Sequence, residues 1–142
     1  MYFGVFPQRM DEKGRISIPA IFRAVGEKFF LVHGPDNYLC VYDNSGYQKK
    51  ISELETLDEF DENARAIRRV YFSCTVQECD SHGRIKIPIA YITHANLNKE
   101  IVINGMGSYF EIRDKTNWEK MFKNNLTDLS FNMNKFSKTN SK

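Results

Sequence analysis

Arginine recurs at one position of two similar turns, where its guanidinium group is suited to recognising phosphate or a nucleic acid base. The first turn runs from Asp11 to Arg15 and the second from Asp80 to Arg84. A guanidinium group offers paired N–H donors that fit phosphate oxygens and the acceptor edge of guanine. With the cations nearby, the candidates for nucleic acid binding are Lys13, Arg15, His82, Arg84 and Lys86. The residues alone leave an alternative open, because each arginine can instead form an exposed ion pair with its own turn aspartate, which stabilises little.

The aspartate and the glycine of each turn have structural reasons to be there. Asp11 and Asp80 can accept hydrogen bonds from turn amides or hold the following arginine, so we predict a structural role for both rather than direct ligand contact. Gly14 and Gly83 supply the left-handed backbone conformation that such a turn requires. These four residues are predicted to shape the turns.

The two turns belong to an internal repeat that covers most of the chain. Asp11, Gly14, Arg15, Ile16, Ile18 and Pro19 return 69 positions later as Asp80, Gly83, Arg84, Ile85, Ile87 and Pro88. Downstream the shift grows to 71, and Gly34, Tyr38 and Asp43 return as Gly105, Tyr109 and Asp114. We expect that a unit this short does not bury its apolar face alone, so the copies should share one core. Each charged group then occurs twice about an approximate two-fold axis.

Each copy is predicted to form a hairpin, a short helix, a second hairpin and a longer helix. Residues 2–10 and 15–19 alternate as two strands around the first turn, with the isoleucines directed to the core and the basic side chains to the surface. Pro19 can open the short helix. After the first copy, a two-part helix is predicted over residues 44–54 and 58–70.

Four segments follow from this pattern. The first repeat covers residues 1–52, an acidic helical connector covers 53–69, the second repeat covers 70–123, and a tail rich in Asn, Ser, Thr and Lys covers 124–142. The tail is predicted to be disordered. The remaining residues are predicted to form one globular domain.

The charge of the chain is unevenly distributed. The formal net charge is only +2, yet six of the 18 carboxylates lie in one stretch: Glu53, Glu55, Asp58, Glu59, Asp61 and Glu62. The rest of the chain carries 20 basic and 12 acidic residues, which permits a phosphate-binding face on a nearly neutral protein. No apolar run approaches the ~20 residues of a membrane helix, and the N-terminus lacks a signal-like segment, so we expect a cytoplasmic protein. Cys40, Cys74 and Cys79 are interpreted as reduced packing residues.

Little in the sequence favours an enzyme, a metal site or a cofactor. No Ser, His and Asp set and no glycine-rich phosphate loop can be assembled from local spacing. Cys79 and His82 have a C-x-x-H spacing, with Cys74 and His94 as conceivable further zinc ligands. The first copy has Met10 and Lys13 at the positions of Cys79 and His82, so a metal would break the repeat. We therefore predict no catalytic residue, metal, cofactor or small-molecule substrate.

The residues 1–4, 11–20 and Arg23 resemble the start of MraZ, a family of bacterial transcriptional regulators, and residues 80–88 resemble its second D-x-x-x-R motif. The resemblance covers about residues 1–122. It implies an α+β, mainly β fold: a pseudo-two-fold double-split β-barrel of two swapped-hairpin repeats of the AbrB and SpoVT type, with peripheral helices. It also implies a ring-shaped homo-oligomer, residence in the cytoplasm and nucleoid, and binding to short direct repeats of double-stranded DNA near the promoter of the division and cell wall gene cluster, including the gene of the protein itself.

The resemblance further implies that the D-x-x-x-R regions face DNA, which favours binding roles for Arg15 and Arg84. The second copy departs from the first, since Tyr91 and Ile92 lie near the position of Arg23, and His82 replaces a polar uncharged residue. This predicts that the two repeats contact DNA unequally. The competing hypothesis is a ring-forming scaffold whose arginines bind an acidic protein partner, and a hydrolase is a distant third.

Overall fold

The alternating segments of the sequence form two antiparallel sheets in a computed structural model that describes residues 1–24, 26 and 28–140. The strands are β1 (Val5–Arg9), β2 (Arg15–Ser17), β3 (Lys28–His33), β4 (Leu39–Tyr42), β5 (Thr75–Glu78), β6 (Arg84–Lys86), β7 (Glu100–Gly105) and β8 (Phe110–Asp114). The helices are α1 (Ala20–Arg23), α2 (Asn44–Glu55), α3 (Glu62–Phe72), α4 (Ile89–Ala95), α5 (Lys115–Thr127) and α6 (Leu129–Asn140). Among these residues, no helix is long and apolar enough to cross a bilayer.

The two repeats exchange strands. The six-stranded sheet has the order β1-β7-β8-β4-β3-β5, so β1 of the first repeat pairs with β7 of the second, and β5 of the second pairs with β3 of the first. The predicted hairpin of residues 2–10 and 15–19 is therefore wrong. Its turn closes, with the Asp11 carbonyl accepting from Gly14 N at 3.0 Å, but β2 leaves β1 and pairs with β6. Alternation fixes which face of a strand is buried and says nothing about which strand lies beside it.

An approximate two-fold axis relates the repeats. In the β2–β6 pair, Ile16 lies opposite Ile85, its own counterpart 69 positions later. In the β4–β8 pair, Cys40 lies opposite Glu111, its counterpart 71 positions later. The axis therefore passes between the members of both pairs.

The core is shared between the repeats, as the sequence predicted. Ile16, Ile18, Ile85 and Ile87 are each at most 2% exposed and belong to one buried cluster with residues of both halves. At 25 cal/mol per Å² of apolar surface, burial of each such side chain contributes about 1.5–3 kcal/mol. A second cluster lies between α2 and the sheet, where Tyr47 stacks on Phe30 with ring centroids 4.3 Å apart. The repeats therefore stabilise each other.

The fold class is α+β, but the structure does not support every part of the expected description. Among the described residues, more lie in helices than in strands, so the protein is not mainly β. The six-stranded sheet ends in β1 on one side and β5 on the other instead of closing on itself. The double-split barrel therefore stays a prediction.

The connector helices begin where aspartate side chains cap them. Asp43 accepts from Gly46 N at 2.7 Å at the start of α2, and Asp61 accepts from Asn63 N at 2.9 Å at the start of α3. The second helix begins four residues later than predicted because Asp58 forms a separate turn, in which it accepts from Phe60 N at 2.9 Å.

The segment from Asn124 is helical to Asn140, where the sequence indicated a disordered tail. No glycine or proline follows Gly107, so nothing in this stretch breaks a helix. The backbone bond from Asn132 N to Asp128 O, 2.9 Å long, spans the step between α5 and α6. Polar composition alone therefore gave the wrong indication for residues 124–140, and residues 141 and 142 lie outside the described part.

Candidate nucleic acid interface

The first turn is organised by the carboxylate of Asp11. Its Oδ1 atom accepts from the backbone N–H groups of Lys13 at 3.0 Å and Arg15 at 2.8 Å. Its Oδ2 atom accepts from Nε of Arg15 at 2.7 Å. Gly14 has a φ of +77°, in the left-handed region that favours glycine. Asp11 therefore fixes both the backbone and the side chain of Arg15.

The second turn repeats this geometry almost atom for atom. Oδ1 of Asp80 accepts from the backbone N–H groups of His82 at 2.9 Å and Arg84 at 3.0 Å, and Oδ2 accepts from Nε of Arg84 at 2.9 Å. Gly83 has a φ of +75°. Two turns of one chain thus present an arginine in the same manner.

The hydrogen bonds lower the pKa of both aspartates. For Asp11 and Asp80 the largest cause is the backbone N–H of the arginine in the same turn, and the guanidinium adds to it. Both carboxylates are thus stabilised in their charged form. The ion pair that the sequence left as an alternative is formed at both turns, but the bonds described use Nε, so the terminal nitrogens of each guanidinium remain suitable donors for a further acceptor.

The β2–β6 pair brings the two turns onto one surface. Arg15 lies opposite Lys86, and Ser17 lies opposite Arg84. Directly opposed Cβ atoms in such a pair are about 4.5–5.5 Å apart. These four residues are more exposed than the intervening Ile16 and Ile85. We call the four side chains, together with the exposed Lys13 and His82, the basic face.

Each turn is also contacted by the other repeat. The Gly14 carbonyl accepts from Ile87 N at 2.7 Å, and the Gly83 carbonyl accepts from Ile18 N at 3.0 Å. A surface groove of about 530 Å³ beside the first turn is lined by Lys13 and Lys86, among others. The basic face is therefore built from both halves of the chain, with Lys86 of the second repeat beside the turn of the first.

Sequence reasoning missed one cation of this surface, Arg23. The side chain belongs to the first repeat, but its guanidinium lies over Gly83 in the second turn. The sequence did show that the two repeats differ at this equivalent position, which is Arg23 in the first repeat and Ile92 in the second. Its place beside the second turn depends on the strand exchange, which no local pattern indicated.

The conceivable zinc ligands are engaged elsewhere. His94 shares a 2.9 Å hydrogen bond with the Gly34 carbonyl, and Cys74 donates to the Tyr47 hydroxyl at 3.3 Å. Within residues 1–24, 26 and 28–140, no group of three or more His, Cys, Asp or Glu side chains is arranged to hold a metal. The Cys79 and His82 spacing therefore gathers no ligand set there.

Comparison with known proteins identifies relatives along nearly the whole length. The model of the family described as "MraZ protein, putative antitoxin-like" matches residues 1–70 and 72–138, one region for each repeat. A protein of Alkaliphilus oremlandii named "Transcriptional regulator MraZ" is 41% identical over 122 residues, covering 84% of this chain and 85% of its own. Proteins of the same name from Thermoanaerobacter sp. strain X514 and Finegoldia magna are 39% identical over 133 residues and 36% identical over 122 residues. The first covers 92% of both chains, and the second covers 84% of this chain and 85% of its own.

Proposed function

The chain belongs to the MraZ family, and we propose that it is a transcriptional regulator that binds double-stranded DNA in a sequence-specific manner. The observation that carries the proposal is the basic face, on which two identically built turns present Arg15 and Arg84 across a paired β2–β6 ribbon. A two-stranded ribbon is small enough to enter the major groove of DNA. The relatives named as transcriptional regulators support the same class of function.

The basic face makes two kinds of contact with DNA, one with phosphates and one with bases. Lys13, Lys86 and His82 contact the phosphate backbone and position the duplex. Arg15 reaches base edges with the terminal nitrogens of its guanidinium group, while its Nε stays on Asp11, and Arg84 presents the same donors at the second turn. A base-reading arginine held from behind by a carboxylate loses less side-chain freedom on binding, which favours affinity.

The targets we propose are short direct repeats near the promoter of the division and cell wall gene cluster, including the protein's own gene. Several copies of the chain assemble into a ring, and each copy contacts one repeat. The modest net charge of +2 suits weak individual contacts that gain affinity by acting together. The protein then acts in the cytoplasm, at the nucleoid, where occupancy of the repeats excludes or redirects RNA polymerase.

Fluorescence anisotropy tests the proposal directly. A labelled duplex from upstream of the gene that encodes the protein is titrated with the full chain at physiological salt, beside a scrambled duplex of equal length. Preferential binding to the native duplex supports a sequence-specific regulator. Equal binding to both indicates a nonspecific nucleoid protein and contradicts the proposal, as does the absence of binding to either. Light scattering on the same samples tests the ring, since a monomeric mass would contradict it.

A second candidate is a ring-shaped scaffold that binds an acidic protein. It is favoured by one observation: in both turns the arginine already binds a carboxylate. The carboxylates of such a partner would accept hydrogen bonds from the terminal nitrogens of the two guanidinium groups. Competition separates the two functions, because added DNA displaces an acidic partner only if both occupy the basic face.

A further inference from the structure

Arg23 links the two repeats at the second turn. Its guanidinium carbon and two of its nitrogens lie 2.5–2.8 Å from the point that a Cβ atom on Gly83 would occupy. Its Nε donates to the Ile18 carbonyl at 3.1 Å, and Ile18 N in turn donates to the Gly83 carbonyl at 3.0 Å. The absence of a side chain at Gly83 therefore lets the guanidinium lie directly against the turn backbone.

The equivalent place at the first turn is apolar. Ile92, 69 positions after Arg23, puts its Cδ1 atom 3.3 Å from the point that a Cβ atom on Gly14 would occupy. One glycine is therefore flanked by a cation and the other by a hydrocarbon. The two repeats keep the same backbone at these turns but differ in chemistry.

The two turns also differ in their acidic side chains. The first turn carries Asp11 and Glu12, whereas the second carries Asp80 and, at the position of Glu12, Ser81. Lys86 adds a charge beside the first turn, where Glu12 offsets it. The second turn, from Asp80 to Arg84, contains one carboxylate, that of Asp80, and Arg84 already binds it.

Arg23 makes no ion pair within residues 1–24, 26 and 28–140. Its hydrogen bond to a neutral carbonyl uses Nε alone, which leaves the terminal N–H groups of a half-buried cation without a described acceptor. Arg23 lies against Gly83, the residue before Arg84, so the second turn carries two guanidinium groups. Two such groups suit a phosphate, because both can donate to its oxygens.

We propose that Arg23 and Arg84 together bind one backbone phosphate of DNA at the second turn, a contact that the first turn lacks. This inference rests on the proposed DNA binding. It adds Arg23 to the residues that contact DNA and defines the orientation of the protein on the duplex. Because only one of the two pseudo-equivalent turns has the arginine pair, the protein binds the duplex with a defined polarity. Repeats that all point the same way suit such a protein better than a palindrome, which two equivalent turns would match.

The test exchanges the chemistry of the two positions in the full chain. Arg23→Ile gives the second turn the side-chain type of the first, and Ile92→Arg gives the first turn a cation. Binding of the native and scrambled duplexes is measured from low to high salt. Loss of one phosphate contact should weaken binding of both duplexes alike and reduce the slope of log K against log salt by about one. Ile92→Arg should increase that slope by about one.

Controls separate charge from structure. Arg23→Lys keeps the charge and is expected to keep most of the slope, whereas a purely structural arginine would leave the slope unchanged in Arg23→Ile as well. Thermal melting verifies that each variant folds. If Arg23→Ile does not fold, Ile92→Arg still decides, because an unchanged slope in that variant would contradict the proposal.

The outcomes distinguish this inference from the proposed function. Wild-type protein that prefers the native duplex, with a folded Arg23→Ile variant of equal affinity and slope, would overturn the phosphate site and leave the regulator standing. Wild-type protein that binds no DNA would overturn both.

Discussion

Ile16 lies directly opposite Ile85 in the β2–β6 pair, and the two residues are the same position of the two repeats. Both side chains are 1% exposed. The buried pair thus fixes the register that places Arg15 across from Lys86 and Arg84 across from Ser17. The arrangement of the basic face follows from an apolar contact on the opposite side of the ribbon.

Replacement of the turn arginines should weaken DNA binding with little effect on folding. We expect Arg15→Ala to reduce specific binding by roughly 1–3 kcal/mol if the side chain reads a base, and Arg84→Ala to weaken binding of the native and scrambled duplexes alike because it removes a phosphate contact. The ion pair that each variant loses is partly exposed, and such pairs contribute little to stability because solvent screens them. Anisotropy and thermal melting on the same samples measure both effects.

Lys120→Ala is the matched control for those variants, because Lys120 is an exposed cation on α5, outside the basic face. It removes the same charge from the chain. Equal losses of affinity in all three variants would indicate that net charge, and not the turns, determines binding.

Acid should destabilise the protein partly through the turn aspartates. Their pKa values are lowered from 3.8 in the folded state, so their contribution is complete above that value and is lost as the pH falls through the lowered folded pKa. The double variant Asp11→Asn, Asp80→Asn should therefore lose less unfolding free energy than the wild type between pH 5 and pH 2.5. Urea unfolding across this range measures it, and parallel curves for the two proteins would contradict the prediction.

Gly14→Ala and Gly83→Ala should both destabilise the fold, since an L-residue at a φ of +77° or +75° costs about 1–2 kcal/mol. Only Gly83→Ala places its new Cβ against Arg23, and the movable guanidinium should be displaced. We therefore expect Gly83→Ala to weaken DNA binding, and to have no additional effect on binding when Arg23 is already alanine. Binding energies that add in the double variant would show that the two residues act independently.

His33 should make stability depend on pH near neutrality. Its ring stacks on Tyr91 with centroids 4.1 Å apart and meets the edge of His94 at 4.8 Å. Burial, followed by the neighbouring charge of His94, lowers the pKa of His33 from 6.5. As the pH falls below 6.5 the unfolded chain binds a proton at this position before the folded chain does, so stability decreases. Between pH 7.5 and pH 5, the His33→Gln variant should lose less unfolding free energy than the wild type, as measured by denaturant titrations. Equal losses in the two proteins would contradict a role for His33 in this pH dependence.

The sequence predicted those features that depend on local chemistry. The Asp-to-Gly turns, the inward isoleucines and the helix α2 all follow from residues a few positions apart. The second hairpin predicted in each copy formed as well, as the β3–β4 and β7–β8 pairs. The partners of β1 and β2 were predicted wrongly, because Val5–Arg9 alternates equally well beside β2 or beside β7, and only the shared core decides between them. The place of Arg23 beside the second turn was missed for the same reason. The helix from Leu129 was missed because its polar composition outweighed the absence of any helix breaker.

The pairing of Cys40 with Glu111 on the two-fold axis bears on how such a protein can diverge. A homodimer of a single repeat would place two copies of one side chain against each other here, and two buried carboxylates would repel. In one covalent chain each side mutates separately, so Glu111 can be 5% exposed with Arg113 Nε at 3.1 Å while a thiol occupies the other side. Fusion of the repeats thus opens, at the symmetry axis itself, combinations of residues that an assembly of identical subunits cannot sample.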